Sequence, residues 1–357
     1  MKRIARELGV STTTISKVLN NHQDISSATR ARVLARVEEL GYRPNALARS
    51  LTLRRAETIG IVIPDLMHSY FVEVINGIEQ VASARGYGLL LCNSGENPTK
   101  ERSELQLLYG RQVDGILLAA APEAQNGDVL RRLRAHGVAI VMIDRDDYED
   151  MPCHRVLTDD ERAGVLATEH LLASGRRAIA HLAGPRSTHA RRRQKGWRRA
   201  LRTAGIAPQA EWLVQSGFLE REGYEAMQRL LEAGVGVDAV FAANDPAAIG
   251  AMKAIWGAGL KVPDDIAVVG VGDIAHGDLL KVPLTTISWS RAELGSRAAE
   301  LLIDSLERKG TQLPPQRVII PPRLIVRESC GANRAAVAPE PRRRRTRTVV
   351  RRNSSVV

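Results

Sequence analysis

Apolar positions recur at helical spacing in three short segments over the first forty residues of the chain. Ile4–Leu8 is predicted to form a first helix, and Gly9 can adopt the left-handed conformation that a tight turn needs. Ser11 can then cap a second helix, and a third is predicted at 27–40. The positions predicted to face inward are Ala5, Val10, Ile15, Val18, Leu19, Val33, Val37 and Leu40.

The turn between the first two helices is typical of a helix-turn-helix. A small residue, Ala5, lets the second helix cross closely, and β-branched Ile15 fills the angle between the two helices. The exposed face of the second helix combines short hydrogen-bonding side chains with one cation, which suits base edges and phosphates in a DNA major groove. The alternative is a three-helix bundle with no role at DNA. The exposed residues are Thr12, Thr13, Ser16, Lys17 and Asn20.

From about Glu57 the pattern changes to short apolar strands that alternate with amphipathic helices. Near-continuous apolar strands between helices predict parallel sheets covered on both faces. The alternation is interrupted around Pro152, so we expect two successive α/β subdomains, with Thr285–Ser288 and Val318–Val326 crossing back between them. The predicted strands are Ile59–Pro64, Gly88–Cys92, Gly115–Ala119, Ala139–Ile143, Ala178–Leu182, Ala239–Ala243 and Ile266–Val271.

Charge is concentrated at the two ends of the 357-residue chain, whose formal net charge is +11. Residues 1–55 hold 11 Lys and Arg against 4 Asp and Glu, and residues 331–357 hold 8 Arg against 1 Glu. The body between them is slightly acidic. This asymmetry favours an anionic partner at the ends, nucleic acid before an anionic membrane. For the Arg-rich tail, the alternative is that it only aids solubility.

The segment after the third helix has features that are hard to explain within a folded core. Pro44 suits the first turn of a short helix, which would be marginal alone in water. Ala48 is small enough for close contact with a symmetry mate, and Leu51 is apolar without an evident core to enter. Taken alone, these residues indicate a linker.

Three runs together resemble the lac repressor/galactose repressor (LacI/GalR) family: 4–11 (IARELGVS), 15–20 (ISKVLN) and 39–51 (ELGYRPNALARSL). The similarity continues through 58–65 and covers essentially residues 2–329. It implies an all-α helix-turn-helix head followed by an α/β, two-lobed, periplasmic-binding-protein-like sensor. The implied function is a sequence-specific, DNA-binding transcriptional regulator, most simply a repressor, controlled by a small effector.

The resemblance also implies roles for residues of the head and hinge. In that family the second helix enters the major groove, and a hinge helix folds on DNA and wedges a leucine into the minor groove. By that likeness Leu51 is the wedge and Ala48 the hinge–hinge contact. The implied base readers are Thr12, Thr13 and Lys17, while Ser16, Asn20 and Asn45 lie on or near the DNA backbone.

One departure from the family lies at the N-terminus. Relatives usually have several residues before the first helix, including a Ser or Thr that caps it, but Met1 falls inside that segment here. Such a cap is worth about 0.5–2 kcal/mol. We therefore expect either that the natural start lies upstream or that Lys2 and Arg3 compensate through phosphate contacts.

Candidate effector contacts lie where predicted strands end, because ligands in such folds occupy the cleft at the carboxyl ends of the strands. Carboxylates, an amide, a guanidinium and aromatic rings suit a hydroxylated small molecule. Two alternatives are structural: Asp245 would be the N-cap of its helix, and Phe71 would belong to the core. The resemblance places effector contacts at Tyr70, Phe71, Asp144, Arg193, Phe218, Asn244 and Asp273.

Two further departures bear on the effector. Many relatives carry two consecutive Asp where this chain has Gly272-Asp273, and a Gln or Lys type of residue where it has Trp289. Residues 186–202 also hold seven Arg and one Lys. Loss of an acid beside a basic cleft wall favours an anionic, carbohydrate-derived effector such as a sugar acid or sugar phosphate. The alternative is that those cations line a solvated helix face.

Rival functions have weaker support. Gly270-Val271-Gly272-Asp273-Ile274-Ala275 matches a dinucleotide-binding fingerprint, but Gly277 and Pro283 interrupt any long helix after it, which argues against a nicotinamide-dependent enzyme. A sugar-binding solute receptor would lack the helix-turn-helix and would carry a signal peptide, which we do not find. The three cysteines form neither a disulfide framework nor a metal motif. Adjacent residues on a strand point to opposite faces, which argues against Cys153-His154 as a nucleophile–base pair.

The sequence therefore predicts a regulator that is not an enzyme and uses no cofactor or metal. It should bind double-stranded operator DNA with an inverted repeat as a homodimer, reside in the cytoplasm and make no membrane contact. The Arg-rich tail has no apolar periodicity and is expected to be disordered, with nonspecific phosphate attraction at most. The predicted parts are 1–42 (head), 43–56 (hinge helix and linker), 57–330 (effector-binding and dimerisation domain) and 331–357 (tail).

Overall fold

The N-terminal head is a bundle of three helices. In the computed structural model, which describes residues 1–19, 22–42, 55–66, 69–121, 125–308 and 314–332, Gly9 adopts the predicted left-handed conformation, with φ of 64°. Ser11 Oγ accepts a hydrogen bond from Thr14 N at 3.0 Å, as expected of a cap. The helices are α1 (Lys2–Leu8), α2 (Thr12–Leu19) and α3 (Ser27–Glu39).

The head has its own small core. Ile4, Ile15, Val18 and Val33 are almost completely buried there, and the remaining inward positions predicted from the sequence pack around them. The helix-turn-helix geometry is thus stabilised by burial of one apolar stripe per helix. The first helix has no side-chain cap, as its sequence indicated.

The first lobe is a six-stranded parallel sheet with helices on both faces. Its central strands are fully buried, which explains their continuous apolar sequences. Its helices are α4 (Ser69–Ala84), α5 (Pro98–Gly110), α6 (Gly127–Ala135) and α11 (Arg291–Glu307). Its strands are β1 (Thr58–Ile63), β2 (Gly88–Asn93), β3 (Gly115–Leu118), β4 (Ala139–Asp144), β5 (His154–Thr158) and β11 (Arg317–Ile320), in the order β11-β5-β4-β3-β1-β2.

The second lobe repeats this architecture with one antiparallel strand at its edge. Its helices are α7 (Asp160–Ala173), α8 (Thr188–Thr203), α9 (Glu220–Glu232) and α10 (Asp245–Gly257). Its strands are β6 (Ile179–Ala183), β7 (Leu213–Gln215), β8 (Ala239–Ala242), β9 (Ala267–Val271), β10 (Thr285–Ser288) and β12 (Arg323–Ile325), in the order β12-β10-β9-β8-β6-β7.

The chain crosses between the lobes three times. After Pro152, β5 still pairs with β4, so the first crossing comes later than the sequence indicated, between Thr158 and Asp160. Thr285–Ser288 was expected to be a crossing segment, but it is a strand of the second sheet, and the chain returns to the first lobe just after it. The third crossing, between β11 and β12, agrees with the expectation for Val318–Val326.

Two strands, β5 and β7, lie in segments for which the sequence predicted neither a strand nor a crossing. Arg155 in β5 is buried, and its guanidinium donates to Asp146 at 2.6 Å and to the carbonyl oxygen of Tyr148 at 2.7 Å. A buried, fully paired arginine interrupts the apolar pattern by which strands are recognised. β7 has only three residues, too few to show a period.

Candidate functional site

The head presents a polar face opposite its core. Thr12 and Thr13 on α2 are exposed, and Ser16 and Lys17 are half-buried, so the four side chains share the face turned away from the apolar stripe. Lys17 Nζ forms an ion pair with Asp24, in the turn before α3. The predicted DNA contacts Asn20, Asn45, Ala48 and Leu51 lie outside the described residues.

The candidate effector cleft begins at the carboxyl end of β4. Asp144 is the last residue of β4 and has a φ of 65°, and its carboxylate accepts a hydrogen bond from the Tyr70 hydroxyl at the start of α4. Burial, followed by the nearby Asp144 charge, raises the pKa of Tyr70 well above its usual value. Tyr70 therefore remains a neutral hydrogen-bond donor at any physiological pH.

Arg193 anchors the opposite side of the cleft from α8. Its Nε donates to Asp160 at 2.8 Å, its Nη1 donates to the carbonyl oxygen of Ala243 at 2.6 Å, and its guanidinium carbon lies 5.4 Å from the centre of the Trp289 ring. Burial raises the pKa of Asp160 to about 6, despite the opposing effect of Arg193. Trp289, the residue that departs from the family pattern, thus supports the cleft arginine through its ring face.

The predicted helix cap was assigned to the wrong residue. Asn244, not Asp245, caps α10, since its Oδ1 accepts from Ala247 N at 2.9 Å. Its Nδ2 donates to the carbonyl oxygen of Phe218 at 2.9 Å. Asp245 is buried instead, where its carboxylate accepts from the Thr286 hydroxyl at 2.6 Å. Asn244 therefore has a structural role that the sequence did not indicate.

Phe218 stacks on a histidine that the sequence had not assigned to the site. The rings of Phe218 and His189 are 5.1 Å apart and inclined by 18°. Burial, followed by the charge of Arg145, lowers the pKa of His189 well below its usual value, so the imidazole is neutral. His189 lies in the first turn of α8, only four residues before Arg193, and that spacing was the available signal.

Asp273 and Phe71 lie in different surroundings. Asp273 accepts from Arg327 Nη2 at 2.7 Å, while Arg291 donates to the backbone carbonyls of Gly272 and Asp273, both at 2.8 Å. This arrangement fixes the loop after β9.

Phe71 is only 5% exposed and belongs to the main core, edge-on to Tyr70 at 5.0 Å. Phe71 therefore packs in the core, which was the alternative to a role as an effector contact.

A carboxylate of the first lobe caps a helix of the second. Asp147 Oδ1 accepts from both the amide and the hydroxyl of Thr188, at 3.1 and 2.6 Å, at the N-terminus of α8. Arg192, one turn further, pairs with Glu149 at 3.0 Å. Both contacts join the two lobes directly, so any change in the angle between the lobes must alter them.

The basic run along α8 is partly neutralised. Lys195 and Arg199 both pair with Glu161 at 2.7 and 2.8 Å, and Arg193 pairs with Asp160. The excess of positive charge at the cleft is thus smaller than the sequence suggested. The alternative that these cations serve the helix surface holds for Lys195 and Arg199, which are mostly exposed.

Several buried polar atoms beside the strand ends have no hydrogen-bond partner among the described residues. Buried polar groups are normally paired, so these atoms have hydrogen-bonding capacity that a water or a ligand could use. They follow β4, β6, β7 and β10, which end at the same side of the two sheets. The atoms are Asp147 Oδ2, His189 Nδ1, Ser216 Oγ, Ser288 Oγ and Trp289 Nε1.

Within the part of the chain that the structure describes, nothing supports a metal site, a cysteine–histidine catalytic pair or a membrane-spanning helix. No three His, Cys, Asp or Glu side chains lie close enough together there to hold a metal ion. Burial raises the pKa of the Cys153 thiol, and the His154 ring accepts from Gln316 N at 3.1 Å, so the two do not form a nucleophile–base pair. None of the described helices is long and apolar enough to cross a membrane.

Comparison with known proteins identifies the family. A model described as "Bacterial regulatory proteins, lacI family" matches residues 1–45, and "Periplasmic binding proteins and sugar binding domain of LacI family" matches residues 56–328. The chain belongs to the LacI family. The family resemblance drawn from the sequence is confirmed, and with it the helix-turn-helix head and the two α/β lobes.

The curated relatives of this LacI-family chain are repressors. The "HTH-type transcriptional repressor PurR" of Histophilus somni (strain 129Pt) is 34% identical over 331 residues, 92% of this chain and 98% of that protein. Its counterpart from Pasteurella multocida (strain Pm70) is 34% identical over 334 residues, again covering 92% of this chain and 98% of that protein. These relatives are not enzymes, which removes the nicotinamide-enzyme alternative.

Solved structures of similar fold also belong to transcriptional regulators. The lac repressor dimer bound to operator and the anti-inducer ONPF has a TM-score of 0.81 and 28% identity, over 92% of this chain and 98% of that one. A CelR–cellobiose complex has a TM-score of 0.71 and 30% identity, over 91% and 98%. This LacI-family protein is accordingly a DNA-binding transcriptional repressor with a ligand-binding domain.

Proposed function

We propose that the protein represses transcription from an inverted-repeat operator as a homodimer, and that a small molecule in the cleft between its lobes controls operator affinity. The observation that carries this proposal is the coexistence, in one chain, of a polar helix-turn-helix face and a group of polar side chains where the strands of the two lobes end, among them Tyr70, Asp144 and Arg193. Two heads are needed because each half of an inverted repeat requires its own recognition helix.

Base recognition is assigned to α2. Thr12 and Thr13 are exposed at its N-terminal end, where recognition helices approach base edges. Lys17 would donate to a hydrogen-bond acceptor on a base, and Ser16 would contact the DNA backbone. Through the family likeness, the proposal extends to Asn20, Asn45, Ala48 and Leu51, with Leu51 as a minor-groove wedge.

The proposed effector is carbohydrate-like, and we favour a sugar acid or sugar phosphate. Hydroxyl groups would find donors and acceptors at Tyr70, Asp144, Asn244 and Asp273, and the ring would lie near Phe218. An anionic group is supported by Arg193 and by the single carboxylate at Gly272-Asp273. Arg193 carries this part of the proposal because it lies at the cleft, where it also pairs with Asp160, whereas Lys195 and Arg199 lie on the exposed face of α8.

The proposed switch is a change in the angle between the lobes. The bonds of Asp147 to Thr188 and of Arg192 to Glu149 span the lobes, and a ligand in the cleft would favour one arrangement over the other. The hinge segment precedes β1 directly, so a movement of the first lobe would change the spacing of the two hinge helices.

Two experiments test the proposal. A gel shift at stated salt, with DNA from beside the gene, should show a sequence-specific complex that unrelated DNA does not compete away. Calorimetry should show binding of gluconate-like acids or sugar phosphates, with neutral sugars and free nucleobases as comparison ligands. Absence of a specific complex refutes the DNA proposal, and binding of neutral sugars alone refutes the anionic effector.

A further inference from the structure

An acidic side chain lies against the proposed DNA-facing surface of the head. We propose that Asp24 is a specificity-determining residue: it holds the Lys17 ammonium in one position and thereby restricts which base pair that side chain accepts. This inference rests on the proposed function, because it requires that α2 enters the major groove. Nothing in the family match itself assigns a role to Asp24.

The turn that carries Asp24 is held in place from both sides. Its Oδ2 forms an ion pair with Lys17 Nζ. The turn that carries Asp24 is joined to the end of α2, because His22 N donates to the carbonyl oxygen of Lys17 at 2.9 Å. The same turn is joined to α3, because Arg30 Nη2 donates to the carbonyl oxygen of His22. The turn is therefore tied to both helices, and this keeps Asp24 within reach of Lys17.

This ion pair is placed for recognition and contributes little to folding. The side chains of Lys17 and Asp24 are 42% and 53% exposed, and exposed ion pairs add little to stability. The hydrogen bond from Lys17 lowers the pKa of Asp24, so the carboxylate is ionised whenever the head would meet DNA. A negative charge beside a DNA-facing cation repels the phosphates and so weakens DNA binding. The presence of Asp24 at this position therefore calls for a functional explanation.

Restraint of a lysine changes what it can discriminate. A free lysine is a flexible point charge whose three donors can move between phosphates and several base edges. With its ammonium held by Asp24, Lys17 has a defined reach toward acceptors of one base pair, such as guanine O6 and N7. The carboxylate also repels phosphate oxygens, which weakens contacts in the wrong register.

The test is an in vitro selection from random double-stranded DNA with full-length wild type, D24N and the matched control E39Q. Glu39 is also an exposed acid of the head in an ion pair, but its partner is Arg36 on α3. We expect the wild type and E39Q to enrich the same inverted repeat. D24N should retain most positions but discriminate about tenfold less at one base pair in each half-site. Its affinity for random DNA should rise about threefold.

The double variant tests whether Asp24 acts through Lys17. In a K17M background, D24N should produce no further loss of base preference, since the side chain it restrains is gone. The proposal is overturned if D24N selects the wild-type repeat with unchanged preference, or if D24N still broadens the preference in K17M. If the wild type enriches no sequence at all, the proposed function fails, and this inference fails with it. Equal thermal unfolding of D24N and wild type excludes misfolding.

Discussion

Adjacent polar residues after a buried strand could not be told apart from the sequence. Asn244 and Asp245 both suit the cap of α10, and the pattern favoured Asp245 because Pro246 follows it. The structure gives Asn244 an extended backbone and the cap, and turns Asp245 toward Thr286, a residue 41 positions away. A cap is decided by backbone dihedrals that depend on this distant contact. The strand ends themselves were predictable.

Asp245 should make folding stability depend on pH. Burial raises its pKa to about 6, against 3.8 as the ordinary value. The folded state therefore binds the proton more tightly, so the stabilisation is complete below pH 4 and is lost as the pH rises through 6. In Asp245→Asn this loss disappears, and the unfolding free energy of the variant relative to wild type should rise by about 2 kcal/mol between pH 4 and pH 7.

Urea unfolding at several pH values measures this difference. Asp159→Asn, which alters the cap of α7, serves as the control for loss of an acidic side chain at the start of a helix. Parallel stability curves for wild type and Asp245→Asn would show that the Asp245 carboxyl is not perturbed as described.

Arg193→Lys should weaken effector binding more than operator binding. A lysine keeps the charge but cannot bond Asp160 and the Ala243 carbonyl at once or stack on Trp289. We expect at least about a tenfold loss of effector affinity by calorimetry, with operator affinity in the absence of effector unchanged. Arg199→Lys, on the exposed face of α8, is the matched control. Equal effector affinity in Arg193→Lys would remove Arg193 from the site.

At the scale of elements, hydrophobic periodicity predicted the long strands and helices. It could not predict which helices pack closely against each other. α7 and α8 pack through paired glycines, where a Cβ on Gly196 would lie 2.1 Å from the carbonyl oxygen of Glu161. The sequence shows such a glycine only as a weak point in a helix, with no hint of its partner. Yet this contact fixes α8 and thereby Arg193 and His189.

Gly196→Ala should therefore destabilise the second lobe. The added methyl group must push α7 and α8 apart, at a cost of about 1–3 kcal/mol in unfolding free energy. Gly110→Ala, at the end of α5, meets no atom within 4 Å and should change stability by no more than about 1 kcal/mol. Thermal or urea unfolding of the two variants makes the comparison. Equal stabilities would contradict the close approach of α7 and α8.

At the scale of the whole molecule, the sequence and its family resemblance predicted the order of the head and the two lobes. The contacts between the two lobes could not be predicted in this way. Asp147 and Thr188 lie 41 residues apart on different lobes, and only the docking of those lobes brings the carboxylate to the N-terminus of α8. Such contacts belong to one conformation of the molecule, which makes them candidates for the regulatory switch.

Leu51→Ala tests the hinge at this scale. If Leu51 is the minor-groove wedge, its truncation removes the apolar contact that kinks the operator while the cleft remains intact. Operator affinity, measured by fluorescence anisotropy at fixed salt, should fall by about tenfold or more, whereas calorimetry should give unchanged effector binding. Leu34→Ala, at an exposed position of α3, is the control. Wild-type operator affinity in Leu51→Ala would refute the wedge.

In the proposed function, the binding of a ligand in the cleft and the binding of operator DNA are coupled within one protein. The most direct measurement is operator affinity with and without a saturating cleft ligand, together with the affinity for that ligand with and without operator. We expect both affinities to change by one common factor of about fivefold or more, because linkage is reciprocal. Operator affinity that is identical in the presence and absence of the saturating ligand would contradict it.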